Sequence, residues 1–481
     1  GNDDQALLPT LWASVATTWL TALLLFVGAS HLGVGLVNWL ATLLVKPHRL
    51  PRMDFSEGIP PEFSTLVVVP TMLISPRNVG RLMEALEVRY LANKGENLRF
   101  CLLTDFRDAP QEVMPEDESL LQLAQAGIEA LNEKHHQRDE TTDGDDIIFL
   151  LHRPRRWNPQ EQTWMGYERK RGKLGDLNTL LRGGSRDAFS LIVGDVPLLI
   201  GTKYVITLDT DTLLPRDAAR QLVGTLAHVL NRAPVDERRQ VVTEGYGILQ
   251  PGVAISLEKE SPSWFVQLCA GEPGVDPYTR AISDVYQDVF HEGSFIGKGI
   301  YDVDAFSATM EQRFPENQIL SHDLLEGCYA RSGLVSDVHV YESYPSRYNT
   351  DVSRRHRWIR GDWQIAGWLL PLVSGPDRRS ARNPISLVGR WKIFDNVRRS
   401  IVPCALTLLL LVGWIALPPA WLWTAAIVGI VLIPAVCMSL VALFRKAVDL
   451  PLIPHLRLIA KSVCVSVAQA TLTIVFLPYE A

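Results

Sequence analysis

Long apolar runs occupy the two ends of the chain, and between them lies a block in which short apolar runs alternate with helical patterns. From Gln5 to Val45 there is no Asp, Glu, Lys or Arg, and beyond Ile401 three more apolar stretches are separated by Pro418-Pro419 and by the segment from Arg445 to Lys461. Crossing a bilayer takes roughly 17 to 25 residues, so the pattern predicts membrane spans over residues 9–27, 401–417, 421–443 and 463–478. Residues 31–45 are too few to cross alone and read either as the continuation of one long helix or as an interfacial helix. Lys46, Arg49 and Arg52 follow the first span, Arg398 and Arg399 precede the second, and Arg445, Lys446, Arg457 and Lys461 lie between the last two. Basic flanks stay in the cytoplasm, which puts the central block there too. The first apolar run lacks the basic leader and cleavage pattern of a signal peptide.

Three parts follow: residues 1–52 with the N-terminal membrane and interfacial helices, a cytoplasmic block over 53–380, and residues 381–481 with an interfacial helix and about three spans. In the block, residues 64–73, 98–106, 147–153 and 204–208 read as buried strands, and 78–93, 120–134 and 218–230 as helices. Strands separated by helices predict an α/β fold with a doubly wound, mostly parallel sheet. Such sheets bind ligands at the carboxyl ends of their strands. Thr71, Asp105 and the Asp209/Asp211 pair are therefore expected along one crevice, where a nucleotide is the usual occupant.

Composition narrows the partners. The 481 residues are 47% hydrophobic, with a formal net charge of -6, so no basic excess supports nucleic-acid binding. Cys404, Cys437 and Cys464 fall in expected spans, while Cys101, Cys269 and Cys328 are scattered with no CxxC or metal-ligand spacing, the pattern of reduced buried thiols. The acidic stretch 139–146 reads as a solvated loop.

Three segments carry candidate chemistry. Asp209 and Asp211 end the strand 204–208; a lone DxD suits first an acidic turn before a helix, and its place at a strand end with the segments that follow raises a clamp for Mg²⁺ or Mn²⁺ whose remaining ligands are substrate phosphates. "ILSHDLLEG" (319–327) sets Asp323 and Glu326 on one helical face among apolar neighbours, as a general base or as a helix cap. "RRHRWIRGDWQIAGW" (354–368) mixes arginines with Trp358, Trp363 and Trp368, a diphosphate and sugar contact or an interfacial anchor. "GSFIGKG" (293–299) fails the phosphate-loop spacing and reads as a turn beside the acceptor or as a packing turn. The stretch 387–400 reads as an interfacial helix leading to a span.

DxD, then an Asp in a short apolar segment, then R-x-x-R-W before a cluster of spans resembles the processive family-two membrane glycosyltransferases. "ERKRGKLGDLN" (168–178), "VYQDVFHEGSFIGKGIYDVDAF" (285–306) and "LVSDVHVYESYPSRYNTDVSRRHRWIRGDWQ" (334–364) resemble more closely the glycosyltransferase domain of cyclic β-1,2-glucan synthases. The sequence departs from the broader family at His322 and Arg354, where Glu and Gln are common. The resemblance implies a nucleotide-diphospho-sugar transferase sheet in a bacterial inner-membrane protein that transfers glucose from UDP-glucose with inversion onto a growing glucan chain, with further domains of a longer polypeptide as expected partners. It implies that Thr71 and Asp105 hold uridine, Lys173 the diphosphate, and Asp209 and Asp211 a metal-bound diphosphate. Asp323 is then the base with Glu326 as the alternative, Arg357 a donor contact, and Trp358 the acceptor platform. A chain started on the protein needs an acceptor hydroxyl; Tyr278 in the turn-rich "GEPGVDPYTRA" is the expected one, with Tyr246, Tyr286 and Tyr301 as alternatives. A synthase of another β-glycan, or a non-catalytic export or scaffold component, are the competing readings.

Overall fold

The computed structural model describes residues 3–136, 146–256, 263–269, 285–311, 313–319, 323–375, 380–444 and 451–481. Eight strands form one mixed sheet: β1 (Thr65–Leu73), β2 (Leu98–Phe106), β3 (Ile148–Arg153), β4 (Leu191–Val193), β5 (Tyr204–Thr207), β6 (Ile248–Ile255), β7 (Gly299–Asp302) and β8 (Ser332–Glu342). Their order is β8-β6-β7-β5-β1-β2-β3-β4. The run β5-β1-β2-β3 is parallel, as is the β6–β8 pair, whereas β7 is antiparallel to both neighbours and β4 antiparallel to β3.

Strand β1 explains why the sheet is buried on both faces. Its side chains alternate, Val67 and Val69 packing into one core and Leu66 and Val68 into the other. The first core is closed by Val79, Leu82 and Leu86 of α2 (Pro76–Ala92), Leu120 and Ile128 of α3 (Asp117–His136), and Leu222 of α5 (Ala218–Ala227). The second is closed by Leu174, Leu177 and Leu181 of α4 (Arg169–Leu181). Helices on both faces make the sheet doubly wound, as the alternating pattern predicts. Strand β1 runs on through Pro70, pairing it with Leu103 of β2. β5 has ended opposite Val68, so the missing proline N–H costs no ladder bond on that side.

Helix α1 (Asp3–Leu44) is one unbroken helix, so residues 31–45 continue the first span. At about 1.5 Å per residue it is longer than a bilayer is thick. Its part Val15–Ala41, together with α8 (Leu387–Ile415) and α10 (Leu452–Glu480), is long and apolar enough to cross a membrane. The remaining expected span lies in α9 (Ala420–Phe444), whose apolar portion Ala420–Pro434 is shorter. Leu24, Leu406, Leu409, Ile427 and Leu477 form the small core that joins these helices. Residues 387–400 are continuous with the span that follows, within α8.

Several hydrogen bonds tie this bundle to the sheet domain. Glu480 at the end of α10 accepts from Tyr348 Oη and Arg355 Nη2, both at 2.8 Å, on α7 (Tyr348–Ile365). Gln469 donates to the Leu268 carbonyl at 2.9 Å.

Candidate active site

Asp105, next to last in β2, is buried. Arg153, the last residue of β3, donates Nε to Oδ1 at 3.0 Å and Nη2 to Oδ2 at 3.1 Å, and Lys173 Nζ lies 3.2 Å from Oδ2. Lys173 also donates to the Thr71 carbonyl near the end of β1. Thr71, Asp105 and Lys173, expected together, are in contact. Burial drives the Lys173 ammonium down to about 8, only partly offset by Asp105. Gly166 leaves the room: a Cβ there would stand 1.9 Å from Asp105 Oδ2.

Asp209 and Asp211 follow β5, and their loop is clamped from below. The buried Arg89 of α2 donates to the carbonyls of Asp209 (3.3 Å), Thr210 (2.8 Å) and Thr212 (2.8 Å). Asp209 Oδ1 accepts from Lys170 Nζ at 2.9 Å, and Oδ2 lies 3.3 Å from Lys298 Nζ. Lys298 pairs as well with Glu342 at the end of β8, whose Oε1 accepts from Thr212 Oγ1 at 2.7 Å. Burial alone would raise the Asp209 carboxyl, but Lys170 and Lys298 outweigh it and hold it below the usual carboxylate range. Asp211 goes the other way: desolvation, then repulsion from Glu342 and Asp209, pushes it above that range. The helix after this loop begins at Ala218 behind Asp217, so the aspartate pair does not cap it.

Asp323 is the first residue of α6 (Asp323–Tyr329). It lies against Gly297, which sits at φ +87, and a Cβ at Gly297 would come within 2.8 Å of Asp323 Oδ2. Lys170 donates to the Gly297 carbonyl while it holds Asp209. Burial works against the Lys170 charge, yet Asp209, then Asp323, and the more remote Glu326 keep its pKa raised. One ammonium thus senses the DxD loop and both candidate bases. Glu326, a turn along α6, is buried at 1% exposure, a poor position for reaching an incoming acceptor.

Lys170 and Lys173 lie three residues apart on α4 and so share a face. The first turn of this helix inserts between the Asp105 and Asp209 strand ends as a row of cations. The resemblance singled out only Lys173. Lys170 stood in the same basic run, and a helical spacing applied to "ERKRGK" would have paired the two. Lys298 stood in a segment read as a turn, and Arg89, Arg153 and Glu342 come from separate elements with no local signal.

Arg357 and Trp358 lie on the exposed face of α7. Among the described residues no hydrogen bond or ion pair joins either to the acidic cluster. The Arg354 guanidinium sits 4.8 Å from the Trp358 ring, held there by Asp351 at 2.6 Å. Tyr278 and His322 lie outside the described residues. Tyr246, Tyr286 and Tyr301 are all buried, and Tyr301 donates its hydroxyl to Asn178 at 2.9 Å, which removes all three as accessible acceptors.

Among the described residues no three His, Cys, Asp or Glu side chains converge as a metal cage. The pair Asp209/Asp211 is nonetheless a hard-oxygen donor set, with Asp211 under carboxylate repulsion that a cation would relieve. Two carboxylates with substrate oxygens completing the shell is how Mg²⁺ is commonly held, so these residues fit the ion.

No family model matches the sequence. A curated relative, the cyclic β-(1,2)-glucan synthase NdvB of Rhizobium meliloti (strain 1021), is 42% identical over 466 residues, 96% of this chain and 16% of that protein. The chain therefore spans about a sixth of the relative it matches. A solved structure of an active-site mutant of LgtC is 12% identical and covers 56% of this chain and 72% of that one; with a TM-score of 0.22 the likeness decides nothing.

Proposed function

We propose that this chain, related over nearly its whole length to a cyclic β-(1,2)-glucan synthase, is a membrane-bound glycosyltransferase segment that adds glucose from UDP-glucose to a growing β-glucan with inversion. The observation that carries this reading is the cationic first turn of α4, whose Lys170 and Lys173 join Asp209 and Asp105 while Asp323 lies beside the same Lys170.

In this reading the uracil end of the donor lies by Thr71 and Asp105, and the diphosphate lies along Lys173 and Lys170. A Mg²⁺ or Mn²⁺ ion held by Asp209 and Asp211 supplies further neutralisation of the diphosphate. The acceptor hydroxyl gives its proton to Asp323 as its oxygen attacks the anomeric carbon from the face opposite the diphosphate. The carbon–oxygen bond to the diphosphate breaks, and UDP leaves with its charge on Lys170, Lys173 and Arg357. An α-linked donor thus gives a β link in one displacement with no covalent enzyme intermediate. Trp358 offers the acceptor glucose a flat apolar face, and Tyr278 is the proposed starting hydroxyl. The apolar helices anchor the domain at a bacterial inner membrane, with the sheet on the cytoplasmic side where nucleotide sugars are.

Incubation of the purified chain with UDP-glucose and Mg²⁺ tests the reading. UDP release with β-1,2-linked product supports it, another β linkage would favour the alternative glycan, and no metal-dependent UDP release would overturn it.

A further inference from the structure

At the Cys328 end of α6, the end away from Asp323, lies a cavity of about 500 Å³ whose lining includes Arg239, Arg331, Arg382, Arg390 and Glu292. Its walls come from distant parts of the chain: the turn between the short strands Val235–Asp236 and Val241–Val242, the start of β8, the strand Ser380–Arg382, and the first turn of α8. Four arginines thus line one space of ordinary ligand size.

Among the described residues their charge is not balanced locally: Glu292 is the only carboxylate in the lining, and it is already engaged by Lys392 Nζ and Ser386 Oγ, each at 3.3 Å. Among the described residues none of the four arginines is in an ion pair. Arg331 spends its two Nη groups on the carbonyls of Thr243 and His291, both at 2.9 Å, and Arg390 gives one to Asn383 at 3.3 Å. The Nε atoms of both are out of solvent with no protein acceptor. Arg239 and Arg382 are exposed, and among the described residues their guanidinium groups make no hydrogen bond. The same wall ends in the N-terminus of α8, where Ser386 Oγ accepts from Gly389 N.

We infer that this cavity is a binding site for a phosphorylated small molecule, separate from the transfer site. Converging guanidinium groups suit phosphate oxygens, which accept bidentate bonds from arginine, far better than they suit a carboxylate-free protein surface. Val241, Ile385 and Leu387 in the same lining supply an apolar wall for the rest of the ligand. The phosphate could belong to a soluble ester or to a lipid headgroup. Leu387 lies fourteen positions before Ile401 on one continuous helix, about 21 Å along the axis, so with the span beginning at Ile401, as the sequence predicts, the cavity sits away from the headgroups and the soluble source is favoured. Cys328 lines the cavity and Asp323 borders the transfer site at opposite ends of α6, so the two spaces share this helix.

Calorimetric titration of the whole chain in detergent with inorganic pyrophosphate, in EDTA and in an Asp209→Asn background, isolates this site from metal-dependent donor binding. Saturable binding that weakens with added salt, and at least about tenfold in Arg239→Gln/Arg382→Gln, is the expected result; both side chains are exposed, and an unchanged thermal midpoint confirms that the variant is folded. No saturable binding, or equal affinity in the folded double variant, would overturn the site. Repeating the titration in nanodiscs distinguishes the sources. Equal affinity in phosphatidylcholine and phosphatidylglycerol supports a soluble ligand, and loss of pyrophosphate binding in phosphatidylglycerol alone would refute that source in favour of a headgroup.

Discussion

Lys170 holds Asp209 at 2.9 Å and at the same time grips the carbonyl of Gly297, the residue against which Asp323 lies. The lysine therefore ties the DxD loop to the segment that carries Gly297 and Asp323, which in the proposed function are the diphosphate contact and the proton acceptor. Lys170→Met is expected to lower kcat by about 10²- to 10³-fold, the usual effect of removing one preorganised charge from a reacting site. Steady-state UDP release measures it, and a loss confined to KM would contradict a role in stabilising the leaving group.

Lys173 gives a pH signature. Its pKa of about 8 lies below that of an unfolded lysine. The unfolded chain then binds more protons between about pH 8 and 10, so this group opposes folding at neutral pH and its penalty fades as pH rises through that window. The effect on the donor runs the opposite way. As pH rises through about 8, the free enzyme loses the Lys173 ammonium; with that group at the diphosphate, as proposed, KM for UDP-glucose should climb. Lys173→Arg should flatten the climb, since arginine stays charged; a profile identical to wild type would remove Lys173 from the donor site.

Gly166→Ala places a methyl group 1.9 Å from where Asp105 Oδ2 now lies. The carboxylate must move away from Arg153 and Lys173, breaking a buried pair. A stability loss of about 1–3 kcal/mol in denaturant or thermal unfolding is expected, with weaker donor binding. A stable variant with unchanged donor KM would show that Asp105 does not need its present position.

Trp358 has one ring face under Arg354 at 4.8 Å. Trp358→Ala is expected to impair chain extension while leaving UDP binding unchanged, because only the acceptor loses its stacking surface. Acceptor-dependent product length against donor affinity in the same preparation separates the two. Equal losses in both would move Trp358 out of the acceptor role.

Much of the fold was legible because burial imposes periodicity. Residues 98–106 are a strand end to end, since β2 is covered on both faces and reads as a continuous apolar run. The distinction between one long helix and a span plus an interfacial helix was not legible, because Ser30, Gly33 and Gly35 offer a boundary that the helix does not take, with Ser30 Oγ bonded back to the Val27 carbonyl instead of capping a new helix. At the site, the aspartates at strand ends announce themselves, as charges that interrupt an apolar run. Their partners do not. Arg89 reaches the DxD loop from 120 positions away, and Glu342 meets Thr212 across 130, so only the assembled sheet brings them together.

In the proposed reaction Asp323, which lies against Gly297 and within the field of Lys170, takes the acceptor proton. UDP release and glucan formation from UDP-glucose and Mg²⁺, measured side by side for wild type, Asp323→Asn and Glu326→Gln with folding checked by thermal unfolding, test it most directly. The account expects Asp323→Asn to be folded and inactive while Glu326→Gln retains transfer. Surviving transfer in Asp323→Asn, with loss in a folded Glu326→Gln, would contradict it.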